Sequence, residues 1–493
     1  MKIRVKLFLA ACLAATVSCG ICLSGCGEAA DSNVYMVSME YTGSDGLQDI
    51  YTITYSDGTT SSFKVTNGED GKDLTVTEIY EEYKQAVGDE DITFEEFLSE
   101  YFTVSDNSQA QAIYRNLYSV MKIYTEFVVS ENYSMRPGMM GTVSDTTVYT
   151  GSAVIYDMDS SADGYTYIVT NYHVVYLDEA NATYNGGSKI AKKIYGYLYG
   201  SEGAPVAATD ENTNTVLKDE DGYTLYDYGE YGIALEYVGG SVSSDIAVLR
   251  VKTQDILAIN PEAQAVTLAD DYHVGESAVA IGNPESQGIS VTQGIVSVES
   301  DYISLDIDGT TRSYRSIRID TPLYSGNSGG GLFNAEGELI GITNAGYTEN
   351  ENMNYAVPIQ IVRGVADNII HYYESGDNGG CAYQITLGIT VSTQNSKYVY
   401  DAEKGYGEVC EGVVVNSVEE GSVSEAMGVQ SGDIIKKIVI SGTEYEINRS
   451  FDISDLKLTM REGDTIEFVV ERGGQLVNSQ TYTLTAAQFA AID

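Results

Sequence analysis

The 493-residue sequence has no tryptophan, three histidines and six prolines, and it is short of positive charge. Three histidines are too few for a multi-histidine metal centre. Lys and Arg number 27 against 72 Asp and Glu, a formal charge of −45. Neutralising a nucleic-acid backbone needs clustered bases, so no nucleic acid partner is expected. Electrostatic docking onto anionic lipid is disfavoured for the same reason. Cysteine is scarce outside the N-terminus: Cys12, Cys19, Cys22 and Cys26 precede Cys381 and Cys410. Neither CxxC beyond the leader nor HExxH occurs, so neither a metal nor another cofactor is expected. Disorder is excluded by what is present, since 43% of residues are hydrophobic and 40 are tyrosine. At roughly 150 residues per domain, the length suggests about three.

The N-terminus places Lys2, Arg4 and Lys6 before a mostly apolar run over residues 7–23, the layout of an export signal. The run is marginal for a membrane span, which needs about 20 apolar residues. It ends in Leu23-Ser24-Gly25-Cys26, which resembles the lipobox of bacterial lipoproteins. That resemblance implies cleavage before Cys26, lipidation of its thiol, and an extracytoplasmic protein held on the cell membrane. An uncleaved anchor helix is the alternative. In an oxidising compartment Cys381 and Cys410 either pair, closing a loop of about 30 residues, or stand as separate thiols.

The following residues divide by texture. Residues 26–73 hold a small β module, with Tyr51-Thr52-Ile53-Thr54-Tyr55, a turn at Asp57-Gly58 and Phe63-Lys64-Val65. Residues 74–117 read as an acidic helical segment: two amphipathic helices over 77–102 and a short one over 110–117. From residue 118 to 375 short strands recur between Gly, Asn and Asp, as in a barrel or sandwich, until Pro358 opens an amphipathic helix. Residues 376–380 form a linker, and a last mixed domain fills 376–493.

Three strings carry chemistry: Thr170-Asn171-Tyr172-His173-Val174-Val175, Ser244-Asp245-Ile246-Ala247-Val248-Leu249, and Gly326-Asn327-Ser328-Gly329-Gly330-Gly331. A serine hydroxyl becomes a nucleophile when an imidazole takes its proton, and a carboxylate holds that imidazole. A glycine-dense turn aims backbone N–H groups at the developing oxyanion, here those of Gly326 and Ser328. The order His173, Asp245, Ser328 matches the chymotrypsin arrangement and not the α/β-hydrolase order.

TNYHVV, SDIAVL and GNSGG, with a helix and a PDZ-like domain after them, resemble the HtrA/DegP family of trypsin-fold serine proteases over residues 119–485. The resemblance implies a mainly β chain: a chymotrypsin/trypsin-like double β-barrel, then a PDZ domain. It implies that His173 is the general base, Asp245 its orienting carboxylate and Ser328 the nucleophile. It further implies an endopeptidase acting on unfolded or misfolded exported proteins, and a homo-oligomer, a trimer. The alternative is a peptide-binding or chaperone-like scaffold with an idle protease site. Three departures stand out. His173 and Asp245 are 72 positions apart, longer than is usual in the family, with the excess in residues 200–232 as a surface excursion or a lid. Gly331 stands where the family often has Pro, and Leu323-Tyr324-Ser325 replaces its usual run before GNSGG.

For specificity, the wall Thr321, Pro322, Leu323 and the facing Asn344 and Ala345 offer no carboxylate, which argues against cleavage after Lys or Arg. The resemblance implies small or medium aliphatic residues instead. Leu387-Gly388-Ile389 resembles the PDZ loop whose N–H groups hold a peptide's terminal carboxylate while the peptide adds a strand. Residues 452–461 would form the groove helix, with Leu456 and Met460 inward. The polar stretch 392–408 would partly cover the groove.

Overall fold

In a computed structural model the described residues are 36–45, 48–55, 60–66, 108–136, 139–346, 352–376, 380–402 and 405–492. The leader, Cys26 and the helices expected over 77–102 lie outside them. Residues 1–105 and 106–493 form two units.

The first unit contains an antiparallel meander of β1 (Met36–Asp45), β2 (Gln48–Tyr55) and β3 (Thr60–Thr66). The expected pairing appears as β2 against β3, with Tyr51 opposite Phe63.

The second unit opens with α1 (Ser108–Asn116). Then come β4 (Val120–Arg136), β5 (Met139–Met158), β6 (Tyr165–Thr170), the one-turn α2 (Tyr172–Val175) and β7 (Lys193–Leu198). Two short strands, β8 (Val206–Ala207) and β9 (Tyr226–Asp227), precede β10 (Ile233–Ser241), β11 (Ile246–Lys252) and α3 (Thr253–Ile259). The first barrel closes in the order β10-β11-β6-β5-β4-β7. Alternation along β11 divides its side chains. Ala247, Leu249 and Val251 fill the barrel with Met121, Ile123, Ile155 and Ile168. Ile246 and Val248 instead join the core that reaches the second barrel. Each such fully buried aliphatic contributes roughly 1.5–3 kcal/mol.

The second barrel contains β12 (Ser277–Gly282), β13 (Ser290–Asp306), β14 (Thr311–Ile319), β15 (Gly331–Phe333), β16 (Leu339–Gly346) and β17 (Asn354–Pro358), closed as β12-β13-β14-β17-β16-β15. Pro358 is the N-cap of α4 (Ile359–Glu374), one residue before the helical start expected of it. Val362, Val365, Ala366 and Ile369 bury one face of α4 in the core shared by both barrels.

The excursion over residues 200–232 lies on the surface of the first barrel. Val206, Val216, Leu217 and Tyr231 are exposed. Lys218 and Thr224 bond the Asp145 carboxylate, and the Tyr228 hydroxyl donates to Glu126 at 2.7 Å. None of these anchors touches His173, Asp245 or Ser328, so the lid alternative has no support here.

The C-terminal part comprises β18 (Ala382–Ile385), β19 (Ile389–Asp401), β20 (Tyr406–Val418), α5 (Val423–Ala426), β21 (Ile434–Ile440), β22 (Thr443–Glu446), α6 (Ser450–Thr459), β23 (Thr465–Arg472), β24 (Gln475–Asn478), β25 (Tyr482–Thr483) and β26 (Phe489–Ile492). Its main sheet runs β19-β20-β21-β23-β24, so β19 is an edge strand. The expectation for 392–408 needs correcting. Most of it continues β19 and β20 as a hairpin, with Tyr398 opposite Val409. Tyr398, Gly407 and Glu408 line a cavity of about 550 Å³ beside Tyr272 and His273, and not the groove beside residues 387–389. Cys381 and Cys410 are separate thiols.

Candidate active site

His173 enters on α2, directly after β6, where the chain leaves the barrel wall. Asp245 follows a 3-10 turn and precedes β11, held in the left-handed region at φ +51. Asp tolerates that region better than most residues. The two strings therefore meet at adjacent strand ends, because β6 and β11 pair, with Thr170 opposite Ala247. His173 Nδ1 lies 2.8 Å from Asp245 Oδ2, and the His173 backbone N–H donates to Oδ1 at 2.9 Å. The carboxylate is wholly buried while the imidazole is about a third exposed (0% and 32%). Burial pulls the His173 pKa down, but the Asp245 charge and hydrogen bond outweigh it, and the net direction is up from 6.5.

Ser328 sits in the turn before β15. Gly326 (φ +97) and Gly329 (φ +87) adopt backbone that L side chains avoid. A Cβ on Gly326 would lie 2.3 Å from the Asn283 carbonyl oxygen, and one on Gly329 2.1 Å from that of Ser152. Both glycines are thus required by close approach as well as by φ. Gly329 N–H donates to Thr343 O and Gly330 N–H to Asn327 O, both at 2.9 Å. Among the described residues the Gly326 and Ser328 amides have no acceptor.

Two residues hold this arrangement without having been singled out as supports in the sequence. Ser152 on β5 clamps the turn from the first barrel. Its N–H donates to Ser328 O at 2.8 Å, and its hydroxyl donates to Gly326 O at 2.7 Å. Asn344 on β16 touches both halves of the site: Nδ2 donates to Asp245 Oδ2 at 2.8 Å, and its carbonyl accepts from Ser328 Oγ at 2.8 Å. Among the described residues Ser328 makes no hydrogen bond to His173. The hydroxyl is instead parked on the Asn344 carbonyl.

The expected specificity wall is only partly a wall. Thr321 is fully buried and its hydroxyl donates to Ala278 O at 2.8 Å, so it packs the barrel and cannot line a pocket. Pro322 is exposed and Leu323 is half-buried against the core. Asn344 is buried, and Ala345 sits on β16 opposite Tyr355. Asp320, next to Thr321, commits Oδ1 to the Ile295 amide at 2.7 Å. Among the described residues no three His, Cys, Asp or Glu side chains are grouped to hold a metal ion.

The loop Leu387-Gly388-Ile389 leads into β19, with Gly388 at φ +73. Leu387 and Gly388 carbonyls accept from Ser424 and Glu419 amides. A groove of about 340 Å³ runs between this loop with the start of β19 and α6. Its helix side is formed by Ser450, Ile453, Ser454 and Lys457. Met460, just past the helix end, is fully buried in the core beneath and Leu456 packs against that core, both inward as expected.

Residues 151–342 match the model of the trypsin-like peptidase domain, and this span contains His173, Asp245 and Ser328. The serine protease Do-like HtrA of Lactococcus lactis subsp. cremoris is 26% identical over 66% of this chain and 68% of its own. The serine protease Do-like HtrA of Bacillus subtilis is 25% identical over 76% of this chain and 72% of its own. Among solved structures, the HtrA-type protease AlgW with decapeptide aligns at 25% identity and a TM-score of 0.41, covering 76% of this chain and 98% of that one. The chain carries a trypsin-like peptidase domain and is similar to HtrA serine proteases over 66–76% of its length; it is a serine protease, a hydrolase.

Proposed function

We propose that the protein is an extracytoplasmic, membrane-tethered endopeptidase that cleaves unfolded exported proteins, with His173, Asp245 and Ser328 as its triad. The observation that carries this reading is the 2.8 Å His173–Asp245 pair beside a nucleophile turn with two unoccupied amides. The site lies where elements of both barrels meet: β6 and β11 bring the pair, and the turn before β15 brings Ser328.

The resting hydrogen bond of Ser328 to the Asn344 carbonyl suggests how attack begins. A substrate strand whose N–H donates to that carbonyl displaces the serine hydroxyl, which rotates toward His173 Nε2. As Oγ attacks the scissile carbonyl carbon, its proton passes to Nε2, and the imidazolium is stabilised by Asp245. The carbonyl oxygen takes up negative charge between the Gly326 and Ser328 amides, each such donor contributing about 3–4 kcal/mol. Nε2 then gives the proton to the leaving amine. Water, deprotonated by the same imidazole, hydrolyses the acyl-enzyme and returns Ser328.

Beside this wall the Asp320 carboxylate accepts from the Ile295 amide, which supports cleavage after apolar rather than basic residues. The C-terminal part reads as a PDZ domain that receives a peptide C-terminus. Edge strand β19 has β20 on one side, which leaves its other edge for a peptide strand beside α6. The leader and Cys26 support tethering as a lipoprotein. Incubating full-length protein with an unfolded polypeptide tests the activity. Degradation by the wild type and none by Ser328→Ala is expected; equal degradation by both would refute the assignment.

A further inference from the structure

The groove beside Leu387-Gly388-Ile389 contains a cation without a counter-ion. Lys457 lies one turn beyond Ile453 and Ser454 on the groove face of α6, and it is half-buried there. Burial pushes its ammonium below the ordinary lysine value. Among the described residues it makes no ion pair and no hydrogen bond. That isolation is unusual in a chain with 72 acidic residues against 27 basic ones. Lys122, Lys189, Lys192, Lys193, Lys218 and Lys437 each have a carboxylate within 3.2 Å. A partly desolvated ammonium without an anion is costly, and the cost is recovered when a ligand supplies one.

The terminal carboxylate of a bound peptide is already provided for by the backbone amides of the loop, if the PDZ reading holds. Lys457 then remains for a second negative group. We infer that Lys457 is a specificity residue of the peptide groove, selecting C-terminal segments that carry an Asp or Glu side chain near an apolar C-terminus. The inference rests on the PDZ reading above and goes beyond it by naming the ligand's charge. The other groove side chains leave this role to Lys457. Ser450, Ser454, Thr386 and Thr390 are neutral, Leu387, Ile389 and Ile453 are apolar, and Glu419 is the sole acid.

The test uses the full-length protein carrying Ser328→Ala, so that peptides are not cut. Fluorescent peptides of one length and one apolar C-terminus are compared, with a Glu, a Gln or a Lys near the end, plus the Gln peptide amidated. The Glu peptide is expected to bind about five-fold tighter than the Gln peptide, with the advantage shrinking in high salt. Lys457→Gln should erase that preference, so that Glu and Gln peptides bind alike, and Lys457→Glu should favour the Lys peptide. Equal binding of Glu and Gln peptides to Lys457, or a Glu preference that survives Lys457→Gln, overturns the inference and leaves the PDZ reading intact. Amidated and free Gln peptides binding equally, or neither binding, overturns the PDZ reading and the inference with it.

Discussion

His173 is subject to two opposed forces, burial and the Asp245 charge, and the charge prevails, so its pKa stands above 6.5. The sign of the consequence differs for stability and for activity. The protonated pair contributes stability in full below the unfolded value near 6.5, and this is lost as pH rises through the higher folded value. Activity needs the neutral imidazole, so kcat/KM should rise with pH through a midpoint above 6.5. Asp245→Asn should lower kcat by about 10⁴-fold and bring that midpoint down; an unchanged midpoint would separate Asp245 from the base. The strings around His173, Asp245 and Ser328 stand out in the sequence because the residue types of a triad are dictated by chemistry. Ser152 was not, because it acts on backbone carbonyls and any small hydroxyl in a strand looks alike. Asn344 was noticed as a neighbour of substrate, yet its bonds to Asp245 and Ser328 arise only once β16 folds beside β11. Thr321 misled because a residue seven positions before the nucleophile can face either way.

At the scale of elements, the nucleophile turn is held by contacts that leave no room for a methyl group. Gly329 combines φ +87 with a Cβ position 2.1 Å from Ser152 O and 2.3 Å from Thr170 Oγ1. Gly329→Ala should therefore cost more than the roughly 1–3 kcal/mol of backbone strain alone, read as a lower denaturant midpoint. Gly432→Ala separates strain from clash, since its φ is +92 with nothing within 4 Å of the added carbon. If both variants lose the same stability, the clash contributes nothing. Most barrel strands were readable, because half-buried strands alternate and end in Gly, Asn or Asp. The β19–β20 arm was not. From Ser392 onward β19 is largely exposed on both faces, so no alternation marks it as a strand. The excursion over 200–232 hid β7 and β10 in the same way, by separating partners that pair at Ile233 and Gly196.

Across the molecule, the protease barrels and the C-terminal part are joined by charges, rings and close helix packing. Arg315 of β14 is paired with Asp455 of α6, with both side chains nearly buried. Arg449 reaches Glu299 at 3.0 Å, and the Phe451 ring lies 4.3 Å from the Arg315 guanidinium and 4.9 Å from that of Arg449. His273 stacks on Tyr406 at 3.9 Å, and Asn368 of α4 donates to the Leu458 carbonyl at 3.0 Å. Such a joint is invisible in a sequence, since its members are about 140 positions apart and each alone looks like a solvated charge. Arg315→Met leaves the Asp455 carboxylate buried without its partner and should cost about 3–5 kcal/mol. Arg315→Met with Asp455→Leu should regain most of that in the same denaturation measurement. A single variant as stable as the wild type would mean that the joint is solvated and carries no load.

The central claim is that Ser328 is a nucleophile activated by His173, and covalent capture tests it most directly. Full-length protein would be treated with a fluorophosphonate probe, digested, and the modified residue located by mass spectrometry. The account predicts a single adduct on Ser328, formed faster as pH rises above 6.5 and lost in His173→Ala. An adduct elsewhere, or labelling of Ser328 that persists at the same rate without His173, would contradict it.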